Sequence, residues 1–220
     1  MNRFKGIIWD FGGVITESPF EAFNRFEIEM NIPLDFIRSV NAKNPTTNAW
    51  ALFESSKIDL EEFDKLFLDE TKTAGYPIEG RKVIPLLNGK IRGKMVSVLS
   101  HLGKEYKQLC LTNNIKTDFG ASMNDASASG GKTEEVMTLF DEIIESSKVG
   151  IRKPDQKIYE MARDRLGLMC SEIIYLDDLG INLKPARLMG MSTIKVLSEK
   201  QAISDLGAML GRKLLPKSEN

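Results

Sequence analysis

Short apolar runs alternate along the chain with longer amphipathic stretches. Four runs rich in β-branched residues lie at residues 5–10, 108–114, 172–178 and 192–196, and a weaker run lies at residues 141–146. Within each run the apolar residues are continuous, which is typical of strands that are buried on both faces of a parallel sheet. The pattern therefore predicts an α/β fold with a doubly wound, mostly parallel, Rossmann-like sheet.

The stretches between these runs carry apolar residues at helical spacing. Residues 154–168 are an example, because Pro154 stands where a first helical turn tolerates proline and the apolar residues that follow share one face. We predict a helix that starts at Pro154 and packs its apolar face on the sheet.

The interval between the first two predicted strands is unusually long. It spans about 97 residues, whereas a crossover helix with its loops needs far fewer. Residues 17–85 have helical patterns, including a capping-box pair at Asp59 and Glu62 ahead of an apolar stripe. We predict a Rossmann-like core from residues 1–16 and 86–220, with residues 17–85 inserted as a small helical cap domain.

A polar segment later in the chain resembles a nucleotide-binding loop in composition. Residues 117–135 are rich in Gly, Ser, Asn and Asp, and within them ASASGGKT (126–133) matches a relaxed phosphate-loop pattern. That motif needs a buried strand before the loop so that backbone N–H groups point at phosphates, and the preceding residues are polar. We predict a surface loop over 117–135 and no nucleotide site.

Composition and charge narrow the set of partners. Thirty basic and 31 acidic residues give a net charge of −1, so no overall field attracts nucleic acid or an anionic membrane. No apolar stretch approaches the ~20 residues of a membrane span, and the two cysteines have no paired spacing. We expect a cytoplasmic protein that acts on a small molecule; its oligomeric state is left open. The one histidine, His101, lies in an amphipathic stretch, so proton transfer must use carboxylates or lysine.

Polar residues of the types that serve in catalysis and metal binding stand at the ends of the predicted strands. They are Asp10, Thr112, Asn113, Asn114, Lys153, Asp177 and Asp178, with Asn182 on the turn that follows. Each one alone has an ordinary structural explanation, such as a helix cap or a solvated charge. Because parallel strands end at one edge of a sheet, where ligands bind, we expect the group to converge there. Clustered carboxylates repel unless a cation lies among them, and oxygen ligands favour Mg²⁺.

Four segments resemble, in order, the four motifs of the haloacid dehalogenase superfamily of hydrolases. They are DFGGV (10–14), LTNN (111–114), RKPDQKIY (152–159) and YLDDLGINLKPARLMGM (175–191). The last two are also similar to the N-terminal phosphatase domain of soluble epoxide hydrolases and its bacterial relatives. The resemblance covers nearly the whole predicted core and includes the insertion point of the cap.

The resemblance implies a Mg²⁺-dependent phosphohydrolase that acts on a small phosphorylated metabolite. Asp10 would attack phosphorus and form an aspartyl-phosphate, which water then hydrolyses. Thr112 and the N–H of Asn113 would bind the phosphoryl oxygens, and Lys153 would neutralise charge on both the nucleophile and the phosphoryl group.

The same resemblance implies a metal site. Asp10, Asp178 and the backbone carbonyl of Gly12 would hold Mg²⁺, with Asp177 alongside. Asn182 would support the metal or Lys153 through hydrogen bonds.

Gly12 departs from the pattern of the phosphatases in this superfamily, which usually carry a second Asp two positions after the nucleophile. That Asp protonates the leaving oxygen and later activates water, a contribution of typically about 10²–10⁴-fold. The glycine indicates low or specialised activity, for instance on acyl phosphates, whose leaving group needs no proton. A descendant that binds a phosphorylated ligand or a protein partner without catalysis is the main alternative. Dehalogenation is disfavoured by the paired acids at 177–178.

The substrate itself is not encoded in any recognisable pattern. Phe20, Trp50 and Phe53 in the predicted cap are candidates for contacts with it, and the alternative for each is a place in the apolar interior.

Overall fold

The computed structural model describes residues 3–114 and 130–214. Its sheet contains β1 (Gly6–Trp9), β2 (Lys107–Thr112), β3 (Glu142–Glu145), β4 (Ile173–Asp177) and β5 (Ser192–Lys195). The order is β3-β2-β1-β4-β5, and every neighbouring pair is parallel. The α/β prediction is confirmed, including the weak run at 141–146, which forms edge strand β3.

The helices, in chain order, are α1 (Pro19–Glu29), α2 (Phe36–Ala42), α3 (Ala49–Glu54), α4 (Leu60–Thr73), α5 (Gly80–Val83), α6 (Gly93–Leu102), α7 (Gly130–Met137), α8 (Ser146–Val149), α9 (Gln156–Leu166), α10 (Gly180–Leu188) and α11 (Glu199–Leu210). Short 3₁₀ turns lie at Ile84–Leu87 and Cys170–Glu172. None of the described helices has the length and apolar character that crossing a bilayer requires.

Helices cover both faces of the sheet, as continuous apolar strands require. Ile7 and Trp9 of β1 point to one face, where they join an apolar cluster with α6 and α11. Ile8 points to the other face and joins a cluster with α9 and α10. This alternation along one strand places apolar side chains on both faces, so the sheet is the middle of three layers.

Helices α1 to α5 bury a third apolar cluster of their own. Its centre is aromatic: the Trp50 ring lies 5.6 Å from the Phe63 centroid, and Phe53 stacks on Phe63 at 4.5 Å. The chain enters and leaves this region through neighbouring segments, since Thr16 and Ile91 form an isolated antiparallel bridge. We call residues 17–85 the cap segment; its status as a separate domain with those boundaries stays a prediction.

Two local predictions are wrong. Helix α9 begins at Gln156 rather than at Pro154, because the Asp155 side chain caps it by accepting a hydrogen bond from the Lys157 N–H at 3.0 Å. Residues 130–135, predicted as part of a loop, lie in α7, which packs Val136 on the sheet cluster. Residues 115–129, including the start of the phosphate-loop pattern, lie outside the described part of the chain.

Candidate active site

Three strand ends place the predicted site residues side by side. Central strand β1 lies between β2 and β4. By the register of these pairs Asp10, the residue after β1, is level with Asp177 on one side and with Leu111, the residue before Thr112, on the other. The pairing continues past β1, where the Asp10 N–H donates to the Leu176 carbonyl at 2.9 Å. A cavity of about 700 Å³ opens at this edge, between the sheet and the cap segment.

Lys153 lies at the centre of the charged groups. Its side chain is 1% exposed, and its Nζ lies 2.8 Å from Asp10 Oδ1 and 2.9 Å from Asp177 Oδ2. Burial alone would lower the pKa of this lysine, but the attraction of Asp10 and Asp177 outweighs it and raises the pKa. Lys153 therefore stays charged between the two carboxylates.

The two carboxylate oxygens of Asp10 differ in their hydrogen bonding. Its Oδ1 accepts a hydrogen bond from the Phe11 N–H at 2.7 Å and also faces Lys153 Nζ. Among the described residues, none donates a hydrogen bond to Oδ2. Burial raises the pKa of Asp10 well above its usual value; Lys153 opposes the shift, and Asp177 and Asp178 add to it. A nucleophile needs an oxygen that no donor holds, and within the described part of the chain Oδ2 of this cavity-lining residue meets that requirement.

Asp177 is surrounded by donors from the protein. The Tyr175 hydroxyl donates to Oδ2, Asn182 Nδ2 lies 3.1 Å from both oxygens, and the Leu179 N–H donates to Oδ1 at 2.8 Å. Asn182 is held in turn, because its carbonyl accepts a hydrogen bond from Tyr159 at 2.7 Å. Asn182 therefore supports Asp177, and through it Lys153.

The acidic cluster has the composition of a divalent-cation site. One carboxylate oxygen from each of Asp10, Asp177 and Asp178 lies within 4.8 Å of the others. Burial, together with the charge of Asp177, raises the pKa of Asp178 to about 6, while the Ser18 hydroxyl, 3.1 Å from Oδ2, opposes the shift. The ammonium group of Lys153 does not neutralise three carboxylates. The donor set and its excess negative charge fit a hard cation such as Mg²⁺.

The backbone requires a glycine at position 13 but not at position 12. Gly13 has φ +74°, and a Cβ there would lie 2.2 Å from Asp178 Oδ2, so only glycine permits this turn beside Asp178. Gly12 is not in the left-handed region, and a Cβ there would meet no atom within 4 Å. Backbone strain and crowding therefore do not explain the absence of a side chain at position 12.

Thr112 and Asn113 are the residues predicted to bind the phosphoryl oxygens. Thr112 is 2% exposed, and both residues line the cavity. The Asn113 side chain has a further task that the sequence pattern does not indicate: its Oδ1 accepts from the Lys153 N–H at 2.9 Å and its Nδ2 donates to the Lys153 carbonyl at 3.2 Å. Asn113 thereby fixes the backbone that carries Lys153.

Several contributing residues are absent from the sequence-based prediction: Ser18, Glu54, Arg152 and Tyr175. Tyr175 was accessible from the pattern, because it precedes Asp177 by two positions and so shares its face of β4. Arg152 adjoins Lys153, yet its partner Glu54 lies in α3, far away in the cap segment. No local signal connects those two.

Two of the three aromatic residues predicted as candidates for substrate contact line the cavity, and the third does not. Phe20 and Trp50 line the cavity together with Phe23. Phe53 does not line it; it is buried against Phe63 in the aromatic cluster. The apolar-interior alternative therefore holds for Phe53.

A model of the haloacid dehalogenase-like hydrolases matches residues 4–190. The chain belongs to this family. It is 31% identical over 217 residues to acyl-CoA dehydrogenase family member 10 of Mus musculus, a match that covers 94% of this chain and 19% of that protein. It is 28% identical over 214 residues to bifunctional epoxide hydrolase 2 of the same species, covering 92% and 38%. Identity to sesquiterpene phosphatase astK of Aspergillus oryzae is 24%, covering 94% and 97%.

These relatives confirm the resemblance drawn from the motifs, including that to epoxide hydrolases. The chain spans well under half of the length of the first two of them. A solved structure with the same fold is a haloacid dehalogenase family enzyme of Bacteroides thetaiotaomicron, in complex with magnesium and inorganic phosphate, at TM-score 0.55 and 19% identity, covering 89% of this chain and 96% of that one.

Proposed function

We propose that this hydrolase is a Mg²⁺-dependent phosphohydrolase that works through an aspartyl-phosphate on Asp10. The observation that carries the proposal is the position of Lys153 Nζ, 2.8 Å from Asp10 Oδ1 and 2.9 Å from Asp177 Oδ2, while Asp10 Oδ2 has no donor among the described residues. A buried cation fixes the nucleophile on one side and leaves its other oxygen for the attack.

The chemistry divides into two displacements. Asp10 Oδ2 forms a bond to phosphorus as the bond from phosphorus to the leaving oxygen breaks, and Lys153 with Thr112 steadies the phosphoryl charge. Water then attacks phosphorus and gives up a proton to solvent as the bond from phosphorus to Asp10 Oδ2 breaks, which frees the Asp10 carboxylate and yields inorganic phosphate. Because position 12 has no carboxyl group, the leaving oxygen takes its proton from solvent or leaves as a stable anion.

The proposed metal ligands are the carboxylates of Asp10 and Asp178 and the carbonyl of Gly12, with Asp177 alongside. Bound Mg²⁺ would supply positive charge opposite the phosphoryl oxygens. The magnesium and phosphate of the Bacteroides thetaiotaomicron enzyme support this assignment by fold. Asp177, which already accepts from Tyr175 and Asn182, would orient Lys153 beside the metal.

The cavity wall supports an organic phosphate with an apolar portion. Above the polar floor the lining is mainly aromatic and aliphatic, with Phe20, Phe23, Trp50, Leu60, Ile84, Pro85, Leu87 and Ile181. An apolar leaving group would bury its surface against these side chains. Each Å² of apolar surface removed from water contributes about 25 cal/mol of favourable free energy. The name of the sesquiterpene phosphatase relative is in keeping with such a substrate.

A phosphate-release assay over a panel of substrates tests the function. With Mg²⁺ present, we expect release from acyl and aryl phosphates, slower release from alkyl phosphates, and higher kcat/KM for apolar than for polar alkyl groups of equal size. No halide should be released from 2-haloacids. Binding of phosphate esters without turnover on any of them would instead support the alternative of a descendant that binds a phosphorylated ligand without catalysis.

Removal of Asp178 is expected to abolish Mg²⁺ binding. The wild type should bind Mg²⁺ in calorimetric titration, since the cation relieves repulsion among the clustered carboxylates, whereas Asp178→Ala should give no measurable heat of binding. Asp141→Ala is the control: Asp141 accepts from the Gln108 N–H near the opposite edge of the sheet and should leave binding intact. Equal affinity in all three proteins would refute the metal site.

A further inference from the structure

One end of cap helix α3 contacts the loop that carries the catalytic lysine. Glu54, the last residue of α3, has a side chain that is 11% exposed. Its Oε2 lies 2.7 Å from Arg152 Nη2 and 3.4 Å from Asn113 Nδ2, and its Oε1 accepts from Trp50 Nε1 at 2.8 Å. A single carboxylate of the cap segment thus holds two side chains of the sheet edge.

Both of those side chains lead directly to Lys153. Arg152 precedes it in the chain. The Asn113 amide brackets the Lys153 backbone, accepting from its N–H at 2.9 Å and donating to its carbonyl at 3.2 Å. Glu54 therefore reaches Lys153 by two routes. One passes through Arg152, the neighbour of Lys153 in the chain, and the other through the side-chain amide of Asn113.

Further hydrogen bonds seat the same part of the cap segment on the core. The Ser146 hydroxyl donates to the Glu54 carbonyl at 2.8 Å, and the Ser56 hydroxyl donates to the Ser147 carbonyl at 3.1 Å. Arg152 Nη1 donates to the Pro45 carbonyl at 3.1 Å, so this guanidinium holds two cap positions at once. If Glu54 lost its charge, Arg152 would be left as a largely buried cation without its carboxylate partner.

We propose that Glu54 is a positioning residue: by holding Arg152 and Asn113, it keeps Lys153 between Asp10 and Asp177 when α3 is seated on the core. The inference rests on the proposed phosphohydrolase function, which gives the position of Lys153 its importance. It makes the readiness of the catalytic lysine depend on the seating of the cap segment.

A different role for Glu54 has to be separated from this one. Burial raises the pKa of its carboxyl, although Arg152 and the Trp50 N–H oppose the shift. Glu54 also lines the cavity, so it could donate the proton that the missing carboxyl at position 12 does not supply. The contacts favour positioning, because both oxygens of this carboxylate already accept from donors of the protein, Oε1 from Trp50 and Oε2 from Arg152 and Asn113.

The test compares Glu54→Gln with Glu70→Gln. Glu70 accepts a hydrogen bond from the Ala49 N–H at 2.8 Å, at the opposite end of the same helix and within the cap segment. We expect Glu54→Gln to lower kcat by about 10- to 100-fold, with a smaller change in KM, because small displacements of catalytic groups are costly. The loss should be equal for p-nitrophenyl phosphate and an alkyl phosphate, and Glu70→Gln should keep its kcat.

Hydrogen exchange gives a readout that needs no turnover. The backbone N–H of Lys153, which donates to Asn113 Oδ1, should exchange faster in Glu54→Gln than in the wild type. Its exchange rate in Glu70→Gln should equal that of the wild type. Combining Glu54→Gln with Arg152→Gln should cost less activity than the product of the two single losses, since the two residues share one ion pair.

The opposing outcomes are distinct. A loss confined to the alkyl phosphate would identify Glu54 as a proton donor and overturn the positioning role. If Glu54→Gln and Glu70→Gln lose kcat to the same extent and melting temperature to the same extent, Glu54 only stabilises the fold and the positioning role is overturned. If the wild type releases no phosphate from any substrate, the proposed function fails, and the exchange rate of Lys153 in the two variants then decides the coupling by itself.

Discussion

Replacement of Asp10 by Asn is expected to lower kcat for phosphate release by roughly 10⁴- to 10⁶-fold, the scale seen when a covalent nucleophile is removed. The amide keeps the shape of the side chain but cannot attack phosphorus. The protein should remain folded, because burial and the neighbouring acids already disfavour the charged form of Asp10, and Lys153 keeps Asp177 as a partner. Steady-state kinetics with Mg²⁺ and a thermal melt measure both effects.

Asp141→Asn is the matched control for this loss. It makes the same chemical change in a carboxylate that holds the Gln108 N–H far from the cavity, and it should retain wild-type kcat. Residual activity above about one-tenth of the wild type in Asp10→Asn would remove Asp10 from the role of nucleophile.

Replacement of Gly12 by Asp is expected to raise kcat on alkyl phosphate monoesters by about 10²- to 10⁴-fold, the usual contribution of a positioned general acid and base. The structure permits the change, since a Cβ at Gly12 meets no atom within 4 Å and the backbone is outside the left-handed region. Aryl and acyl phosphates should gain far less, because their leaving groups need no proton. Initial rates across the substrate panel measure the difference.

Gly12→Asn isolates the proton from the shape. Its amide occupies the same space without a titratable carboxyl, so it should show no gain on alkyl phosphates. A folded Gly12→Asp protein that is no faster than Gly12→Asn would mean that the missing carboxyl is not what limits this enzyme.

Position 13 illustrates the opposite situation to position 12. There the backbone has φ +74° and the missing Cβ would overlap Asp178, so the glycine is required by the turn. The two adjacent glycines look alike in the sequence. Their difference depends on φ angles and on the side chain of Asp178, which is distant in the chain.

The hydrophobic pattern was enough to predict the sheet and the edge at which the candidate site residues meet. Continuous apolar runs mark buried parallel strands, and parallel strands end at one edge, so the pattern alone is enough to group Asp10, Thr112 and Asp177. This inference succeeds because strand periodicity is a local property. The same locality explains the errors at α7 and at the start of α9, where Gly-rich composition and a proline gave misleading local signals.

The partners of each of these groups depend on long-range packing. The hydrogen bonds from Tyr175 and Asn182 to Asp177, the bracket of Asn113 around the Lys153 backbone, and the ion pair between Glu54 and Arg152 depend on how the chain folds back on itself. No periodicity records such contacts, since they arise from the packing of helices and loops around the sheet edge. A local pattern therefore locates the acids, whereas the long-range packing determines which oxygen is held, which is free, and how the cap segment reaches the lysine.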